Sequence, residues 1–280
     1  MWTQGLKAWY AERGRHELPW RQTRDPWAVL VSEVMLQQTQ VSRVLPRFAP
    51  FLDRWPAPAA LAATPLPDVL REWRGMGYPR RARDLHRTAT LIGAEGWPPD
   101  EAGLRRLPGV GAYTARALLV LAFGKSGPLP RDVNIGRVAA RAALAVEPGE
   151  VAPSALDAAI AAGRPRGMSS RDYTLALFDA GALGCRARPR CAACPLARQC
   201  RSRARLAGAP RPPARRQGPY RGSRRELRGV VLAAMVGADP PTTVARLEQA
   251  VAATAAMHAP GAVGDALEGL VAEGLLAPLH

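Results

Sequence analysis

The four cysteines of this 280-residue chain lie in one short segment, as Cys185, Cys191, Cys194 and Cys200. The spacers between them hold five, two and five residues, so four thiolates can meet at a tetrahedral zinc ion or at the corners of an iron-sulfur cube. Disulfides are less favoured, because no secretory signal is recognisable and a chain of this size needs no local staples. The spacing alone leaves zinc and iron-sulfur open.

The charge of the chain indicates a polyanionic partner. Lys and Arg number 39 against 23 Asp and Glu, which gives a formal charge of +16. Ten arginines fall in and just after the cysteine segment: Arg186, Arg188, Arg190, Arg198, Arg201, Arg203, Arg205, Arg211, Arg215 and Arg216. A phosphate-binding surface is favoured over a solvated charged loop. Apolar runs are shorter than the ~20 residues of a membrane span, so we expect a cytoplasmic protein.

Apolar residues recur at intervals of three and four up to about residue 200, which predicts helices with Pro, Gly and Asp between them. Asp25 and Pro26 predict the start of a helix that reaches Leu36. Glu33 lies inside this apolar helix, where a carboxylate is costly unless it is solvated, paired or used for chemistry. Further helices are predicted at about 42–53, 57–63, 66–74 and 79–93.

Residues 100–124 predict two helices joined by Leu107-Pro108-Gly109-Val110-Gly111, a helix-hairpin-helix. Gly109 and Gly111 allow a tight turn and a close approach to phosphate, and the amides that begin the second helix favour an anion. A plain connector between two helices is the alternative.

The composition changes after Cys200 to Arg, Ala, Pro and Gly, which predicts a linker. Three helical patterns follow, near 223–236, 242–257 and 262–273. They fit either a small winged-helix-like unit or a helical bundle that packs on the main body.

Six motifs occur in an order that resembles adenine DNA glycosylases of the MutY type. They are Leu18-Pro19-Trp20-Arg21, Ser32-Glu33-Val34-Met35-Leu36-Gln37-Gln38-Thr39-Gln40-Val41, Gly75-Met76-Gly77-Tyr78, the hairpin, Asp132-Val133-Asn134-Ile135 and the cysteines. The resemblance covers residues 1 to about 205. The second motif is the most specific to the adenine-removing branch, whereas the wider helix-hairpin-helix glycosylase superfamily shares the hairpin and the cysteines. The C-terminal part is similar to that of short actinobacterial members through residues 220–229.

The resemblance implies an all-α helix-hairpin-helix DNA glycosylase fold with the substrate base bound between two domains. These are a six-helix barrel domain, 23–127, and an iron-sulfur domain, 1–22 with 128–205; a linker, 206–222, and a small winged-helix-like or helical domain, 223–280, follow. The four cysteines would hold a 4Fe-4S cluster as cofactor. The partner would be double-stranded DNA containing a mispair, bound by a monomer. The reaction would be base excision repair of adenine mispaired with 8-oxoguanine or guanine, after the base is flipped from the stack.

Cleavage of an N-glycosidic bond requires an acid for the leaving base and a carboxylate for the positive sugar. By resemblance Glu33, with a raised pKa, protonates N7 of adenine, and Asp132 stabilises or captures C1′. Asn134 would orient that carboxylate. The alternative for Glu33 is a buried ion pair with an arginine. The alternative for Asp132 is a helix cap, a role that is compatible with catalysis.

Tyr113 stands where superfamily members that also cut the backbone carry a lysine nucleophile, which implies a monofunctional glycosylase. Gln38 matches the residue that enters the vacated space, and Tyr78 matches a wedge beside the opposite base. The adenine pocket is matched by Trp20, Arg21, Leu36 and Val41. Packing or simple exposure is the alternative for each of these. The DNA backbone would be bound by Gly109, Gly111, Arg186, Arg188 and Arg190.

Three features depart from the family pattern. The first cysteine spacer is five residues where six is typical, and Leu175 stands where many members carry Glu or Gln facing adenine. The residues after 205 have neither the length nor the Phe-Ser-His loop of the Nudix-like domain that recognises 8-oxoguanine.

Three other functions stay open. One is a G:T or G:U mismatch glycosylase, another a non-catalytic iron-sulfur protein that binds DNA or senses redox state, and the third an endonuclease III-like lyase. Glu33 beside Gln37 and Gln38 favours adenine. Glu33, Asp132 and Asn134 together favour catalysis, and Tyr113 disfavours the lyase.

Overall fold

The computed structural model describes residues 1–207 and 218–279, and every regular element in these ranges is helical. This confirms the all-α fold class. Within the described ranges no helix is long and apolar enough to cross a membrane. Most of the predicted linker, with Arg211, Arg215 and Arg216, lies outside the described residues.

The described part of the chain contains sixteen α-helices: α1 Leu6–Arg13, α2 Pro26–Leu36, α3 Val41–Arg54, α4 Pro58–Ala62, α5 Leu66–Glu72, α6 Arg80–Glu95, α7 Glu101–Leu104, α8 Ala112–Ala117, α9 Val133–Ala139, α10 Pro153–Ala162, α11 Ser170–Asp179, α12 Arg203–Ala207, α13 Arg224–Met235, α14 Val244–Ala250, α15 Ala252–Ala255 and α16 Ala262–Ala272. Short 3-10 turns occupy Pro19–Arg21, Pro148–Glu150 and Cys191–Ala193. Helices α8, α9 and α11 continue into single wider π-turns, Leu118–Ala122, Ala140–Leu144 and Ala180–Gly184.

The chain forms two compact units. In its described residues the first unit comprises 1–33, 99–106 and 110–207, and the second comprises 34–98, 107–109 and 218–279. The C-terminal residues therefore share a unit with α3–α6. These limits differ from the predicted domain boundaries, which stay a prediction because a compact unit is not the same as an independently folding domain.

Helix α2 begins as the sequence predicts. Both carboxylate oxygens of Asp25 accept backbone N–H groups, from Trp27 at 3.3 Å and Ala28 at 3.0 Å, and Pro26 occupies the first helical position. Leu30 and Val31 are fully buried. Glu33 is carried into the same buried segment, with only 7% of its surface exposed.

The C-terminal residues are helical within the second unit. Leu227, Val231 and Leu270 are buried on α13 and α16. The Glu273 carboxylate pairs with Arg228 at 2.7 Å and Arg80 at 2.9 Å. No strand forms between 218 and 279, so the helical-bundle alternative holds and the winged-helix interpretation is not supported.

The first unit is tied together by a buried ion cluster. The Asp179 carboxylate is fully buried and accepts hydrogen bonds from the backbone N–H of Arg15 and from both guanidinium groups, of Arg15 at 2.6 Å and Arg21 at 2.7 and 2.8 Å. Burial raises the pKa of Asp179, but the hydrogen bonds and charges of Arg21 and Arg15 outweigh it, so the pKa lies below its ordinary value.

We expect Asp179→Ala to lower the free energy of unfolding by about 3 kcal/mol, because it leaves two guanidinium groups without their buried partner. The surface pair of Glu12 with Arg13, at 3.6 Å, provides the control: Glu12→Ala should cost less than about 0.5 kcal/mol. Urea unfolding at pH 7 measures both. Because the folded pKa is depressed, the Asp179 contribution should be present above the ordinary carboxyl pKa of about 4 and be lost as the pH falls through the folded value. Equal losses in the two variants would contradict this account.

Candidate active site

Three side chains of the first unit act on one another: Glu33 on α2, Tyr113 on α8 and Asp132 just before α9. The Tyr113 hydroxyl donates a hydrogen bond to the Glu33 carboxyl group. The negative charge of Asp132 raises the pKa of both Glu33 and Tyr113. The fold thus brings together residues that stand 80 and 99 positions from Glu33 in the sequence.

Glu33 holds its proton near neutral pH. Burial raises its pKa to about 7, against the hydrogen bond from Tyr113, and Asp132 raises it further against the positive charge of Arg21. Arg21 itself is paired with Asp179, and Glu33 forms no ion pair within the described part of the chain. The ion-pair alternative therefore does not describe Glu33, whereas a shielded carboxylic acid suits general acid catalysis.

Asp132 is held by its own helix. Its Oδ1 accepts the backbone N–H groups of Asn134 at 2.9 Å and Ile135 at 2.7 Å, which caps α9. Its Oδ2 accepts the side-chain Nδ2 of Asn134 at 2.7 Å. The carboxylate is thus both a cap and a fixed, half-exposed group, so the two interpretations of Asp132 are compatible.

Arg137 connects this carboxylate to the cysteine segment. Its Nη2 donates to Oδ1 of Asn134 at 2.8 Å and to the carbonyl of Gly181 at 3.2 Å, and its Nε donates to the carbonyl of Cys185. Sequence reasoning missed Arg137. The available signal was its position three residues after Asn134, which places both on one face of α9.

Gly181 allows the end of α11 to approach α9. A Cβ atom at this position would lie 2.6 Å from the Cβ of Asn134 and 3.1 Å from its backbone carbonyl. No side chain fits there unless the start of α9 moves, and Asp132 would move with it.

The four cysteine thiols influence one another electrostatically. Burial raises the pKa of Cys194 to about 11, and the thiols of Cys185, Cys200 and Cys191 add to the increase. The structure does not bring them into a metal-ion geometry: within the described ranges, no group of three or more His, Cys, Asp or Glu side chains could hold a metal ion. The donor set is nevertheless one of thiols alone, which suits zinc or an iron-sulfur cluster.

The arginines of the first cysteine spacer are exposed. Arg186, Arg188 and Arg190, with Ala187 and Pro189, line an open groove of about 470 Å³. The base of this loop is fixed, because the backbone N–H of Arg190 donates to the carbonyl of Gly184 at 2.8 Å. The groove thus presents exposed positive charge on an anchored loop.

The predicted pocket residues of the first unit are mostly buried. Trp20 is 8% exposed and lies in the turn Pro19–Arg21. Arg21 uses both terminal guanidinium nitrogens on Asp179, which fixes its charge near Glu33. Leu175, on α11, is 6% exposed and contributes no polar group.

The candidate DNA-inserting residues belong to the second unit and are exposed. Gln38 follows the end of α2 with a φ of 54°, and Tyr78 is 50% exposed with a φ of 49°. Gln38 is therefore a loop residue rather than a helix residue, and Tyr78 is not ordinary core packing. Leu36 ends α2 and Val41 begins α3, both half-buried.

The two hairpin glycines differ. Gly109 has a φ of 75°, and a Cβ there would lie 3.0 Å from the Cβ of Asp84, so its backbone requires glycine. Gly111 precedes α8 with a φ of −85° and has open space around it. The backbone of Gly111 does not require glycine, whereas the predicted close approach of Gly109 and Gly111 to phosphate stays a prediction.

We expect Gly181→Ala to destabilise the first unit by about 1–3 kcal/mol, because the added methyl group overpacks the contact with Asn134. Gly264→Ala is the control: it lies within α16 with no atom near its Cβ position, so alanine should stabilise that helix by up to about 1 kcal/mol. Urea unfolding distinguishes the two. Equal stability of Gly181→Ala and the wild type would show that the helices do not approach as closely as described.

Comparison with known proteins identifies the family of the chain. Residues 31–152 match the protein family described as HhH-GPD superfamily base excision DNA repair protein. The chain is 39% identical over 277 residues to an adenine DNA glycosylase of Mycolicibacterium smegmatis, which covers 97% of this chain and 91% of the relative. An adenine DNA glycosylase of Mycobacterium tuberculosis shows the same identity over 97% of this chain and 88% of its own length.

Among solved structures, a thermostable thymine-DNA glycosylase is similar in fold. It superposes with a TM-score of 0.63 at 26% identity and covers 73% of this chain and 95% of its own. The sequence relatives reach into the C-terminal helices, beyond the motifs. The chain belongs to the adenine DNA glycosylase family, within the HhH-GPD superfamily of base excision DNA repair proteins.

Proposed function

We propose that this glycosylase excises adenine mispaired with 8-oxoguanine or guanine in duplex DNA. Glu33 is the general acid, and Asp132 is the carboxylate that stabilises the sugar. The observation that carries the proposal is the buried Glu33 carboxyl group, with a pKa of about 7, beside the oriented Asp132. The adenine assignment is supported by the relatives that share 39% of their residues with the chain.

The proposed reaction begins when Glu33 gives its proton to N7 of adenine. The electron pair of the bond between C1′ and N9 then passes to the base, which leaves as neutral adenine. Asp132 faces the positive charge that develops on the sugar. A water oxygen bonds to C1′ and releases its proton to the Glu33 carboxylate, which restores the acid and leaves an abasic site.

The DNA strand stays intact in this proposal, because the hairpin carries the phenol of Tyr113 where strand-cutting members carry the amine of a lysine. Tyr113 donates a hydrogen bond to Glu33 and cannot form a Schiff base. The nearest lysine in the sequence, Lys125, has its ammonium group on the carbonyl of Pro99.

We also propose that Cys185, Cys191, Cys194 and Cys200 hold a 4Fe-4S cluster, supported by the thiol-only donor set and the mutual influence of the thiols. Such a cluster supplies rigidity rather than bond-breaking chemistry. Arg186, Arg188 and Arg190 on the adjoining loop contact the phosphates of the mispaired duplex. Brown protein containing iron and sulfide supports the cluster, and colourless protein with stoichiometric zinc after anaerobic purification contradicts it.

One experiment tests the substrate. The protein is incubated with duplexes containing 8-oxoguanine:A, G:A, G:T, G:U or thymine glycol, and half of each sample is treated with alkali. Breaks at adenine that appear only after alkali support a monofunctional adenine glycosylase. Preferential breaks at T or U favour the mismatch glycosylase whose fold this chain shares, and breaks without alkali indicate a lyase. No reaction on any duplex favours a protein that only binds DNA.

The rate of adenine release should fall about tenfold per pH unit above pH ~7, because the proton-bearing form of Glu33 is the active one. Tyr113→Phe removes a hydrogen bond that lowers this pKa, so the alkaline limb should move to higher pH. Single-turnover rates across pH 5 to 10 measure the shift, with duplex affinity as the control. An unchanged or downward-shifted limb would exclude Glu33 as the titrating acid.

Asp132→Asn should lower the single-turnover rate at least about a hundredfold, because the developing sugar charge loses its carboxylate. Stability should change by less than about 0.5 kcal/mol, since asparagine caps a helix as well as aspartate does. Asp100→Asn is the matched control: Asp100 caps α7 by accepting the N–H of Gly103 at 2.7 Å. Comparable activity losses in both variants would show that the loss in Asp132→Asn does not come from the missing charge beside the sugar.

A further inference from the structure

Arg81 joins two loops of the second unit. It lies in the first turn of α6 and is 9% exposed. One loop, 37–40, connects α2 to α3, and the other, 73–79, connects α5 to α6. The Arg81 guanidinium donates hydrogen bonds of 2.6–3.0 Å to six acceptors. Its Nη1 donates to the carbonyl oxygens of Val34, Met35 and Gln37. Its Nη2 donates to the carbonyl oxygens of Met76 and Gly77 and to the hydroxyl of Thr39.

Two of these acceptors lie in the peptide groups that precede the candidate inserting residues, Gln38 and Tyr78. The Gln37 carbonyl belongs to the peptide before Gln38, and the Gly77 carbonyl belongs to the peptide before Tyr78. The orientation of that peptide plane fixes φ, which is 54° at Gln38 and 49° at Tyr78. Among the described residues other than glycine, a positive φ occurs only at these two and Ala145. Such conformations cost free energy and persist where surrounding contacts hold them.

The charge of Arg81 is stabilised without a carboxylate. No ion pair of Arg81 occurs in the ranges that the structure describes. Its guanidinium instead meets the last carbonyls of α2, where a helix carries partial negative charge, and lies 5.4 Å from the ring centres of both Trp73 and Tyr78. Burial lowers its pKa to about 10, so it stays charged at neutral pH. Its Nε has no hydrogen-bond partner among the described residues, so burying the guanidinium group costs free energy even though the group donates to six acceptors.

We propose that Arg81 is a positioning residue that makes loops 37–40 and 73–79 a single rigid element for entering DNA. It holds Gln38 and Tyr78 in the backbone conformations that insert together when the base leaves the stack. Arg81 has no role in breaking the glycosidic bond. This inference rests on the proposed function, because it assigns Gln38 and Tyr78 to the opened duplex.

Lysine cannot replace arginine in this role. An ammonium group keeps the charge but lacks the planar fork that reaches both loops at once. Arg81→Lys should therefore uncouple the loops while the positive charge stays. Thr39→Val is a milder second variant, since it removes one acceptor of Nη2 at 3.0 Å and leaves Arg81 in place.

The test measures base opening separately from cleavage. All variants are made in the Asp132→Asn background and mixed with a mispaired duplex that carries 2-aminopurine next to the target adenine. Unstacking raises its fluorescence. We expect Arg81→Lys to weaken the equilibrium for opening about tenfold to a hundredfold, as for loss of buried charged hydrogen bonds, and Thr39→Val to weaken it less. Affinity for a fully paired duplex, which requires no opening, should change less than about threefold.

Thr64→Val is the matched control. It removes the hydrogen bond from Trp55 Nε1 at 2.8 Å in the same unit, outside both loops. It should lower the thermal stability but leave the fluorescence rise intact. An equal effect on opening by Thr64→Val and Arg81→Lys would overturn the proposal, because general loosening of the fold would then explain both.

A double-mutant cycle decides whether Arg81 acts through the two exposed residues. Combined with Tyr78→Ala or Gln38→Ala, the effect of Arg81→Lys should be far less than additive, whereas combined with Arg188→Ala it should be additive. Additivity with both Tyr78 and Gln38 would overturn the proposal. Where Arg81→Lys does not fold, the same cycles with Thr39→Val carry the test.

The two proposals fail separately. If the wild-type protein releases no adenine but Arg81→Lys still abolishes the fluorescence rise, the substrate assignment is wrong and the role of Arg81 stands. If adenine is released and the fluorescence rise survives Arg81→Lys, the role of Arg81 is wrong and the substrate assignment stands.

Discussion

The chemistry that we propose for this protein depends on one carboxyl group placed inside an apolar helix. Glu33 is 7% exposed on α2, and burial holds its pKa near 7. Water would stabilise the charged form and remove the proton at neutral pH, so the apolar surroundings are what make Glu33 an acid. Arg21 is the nearby cation that would otherwise pair with it, but Asp179 engages both of its terminal nitrogens. The buried ion cluster of the first unit therefore holds Arg21 on Asp179, although the positive charge of Arg21 still lowers the pKa of Glu33.

The second carboxylate is positioned by the backbone and by a chain of hydrogen bonds. Asp132 is held by the N-terminus of α9 and by Asn134, and Asn134 is held by Arg137, which also binds the carbonyl of Cys185. The cysteine segment is thus mechanically continuous with the proposed catalytic carboxylate. The cluster proposed for these cysteines would therefore act on Asp132 mechanically, by fixing the start of α9 and the loop that bears Arg186.

Much of this could be predicted from the sequence, because the informative signals are local. Asp25 and Pro26 mark the start of α2, and Asp132 is followed by an amide donor two residues later. Contacts between distant segments could not be predicted. The partners of Asp179 lie more than 150 residues away in the sequence. In the sequence, nothing distinguishes Arg81 from the other basic residues of α6. The motif also does not reveal that Gly109 alone of the two hairpin glycines has a positive φ.

The most direct test of this account is the protonation state of Glu33 itself. Protein labelled with ¹³C at the glutamate carboxyl carbons is titrated by NMR, and the Glu33 signal is assigned by its loss in Glu33→Gln. The account predicts a carboxyl group that titrates near pH 7 in the wild type. A Glu33 signal that titrates near the ordinary glutamate value of about 4.3 would contradict it, because the residue would then be a carboxylate at neutral pH and could not deliver the proton.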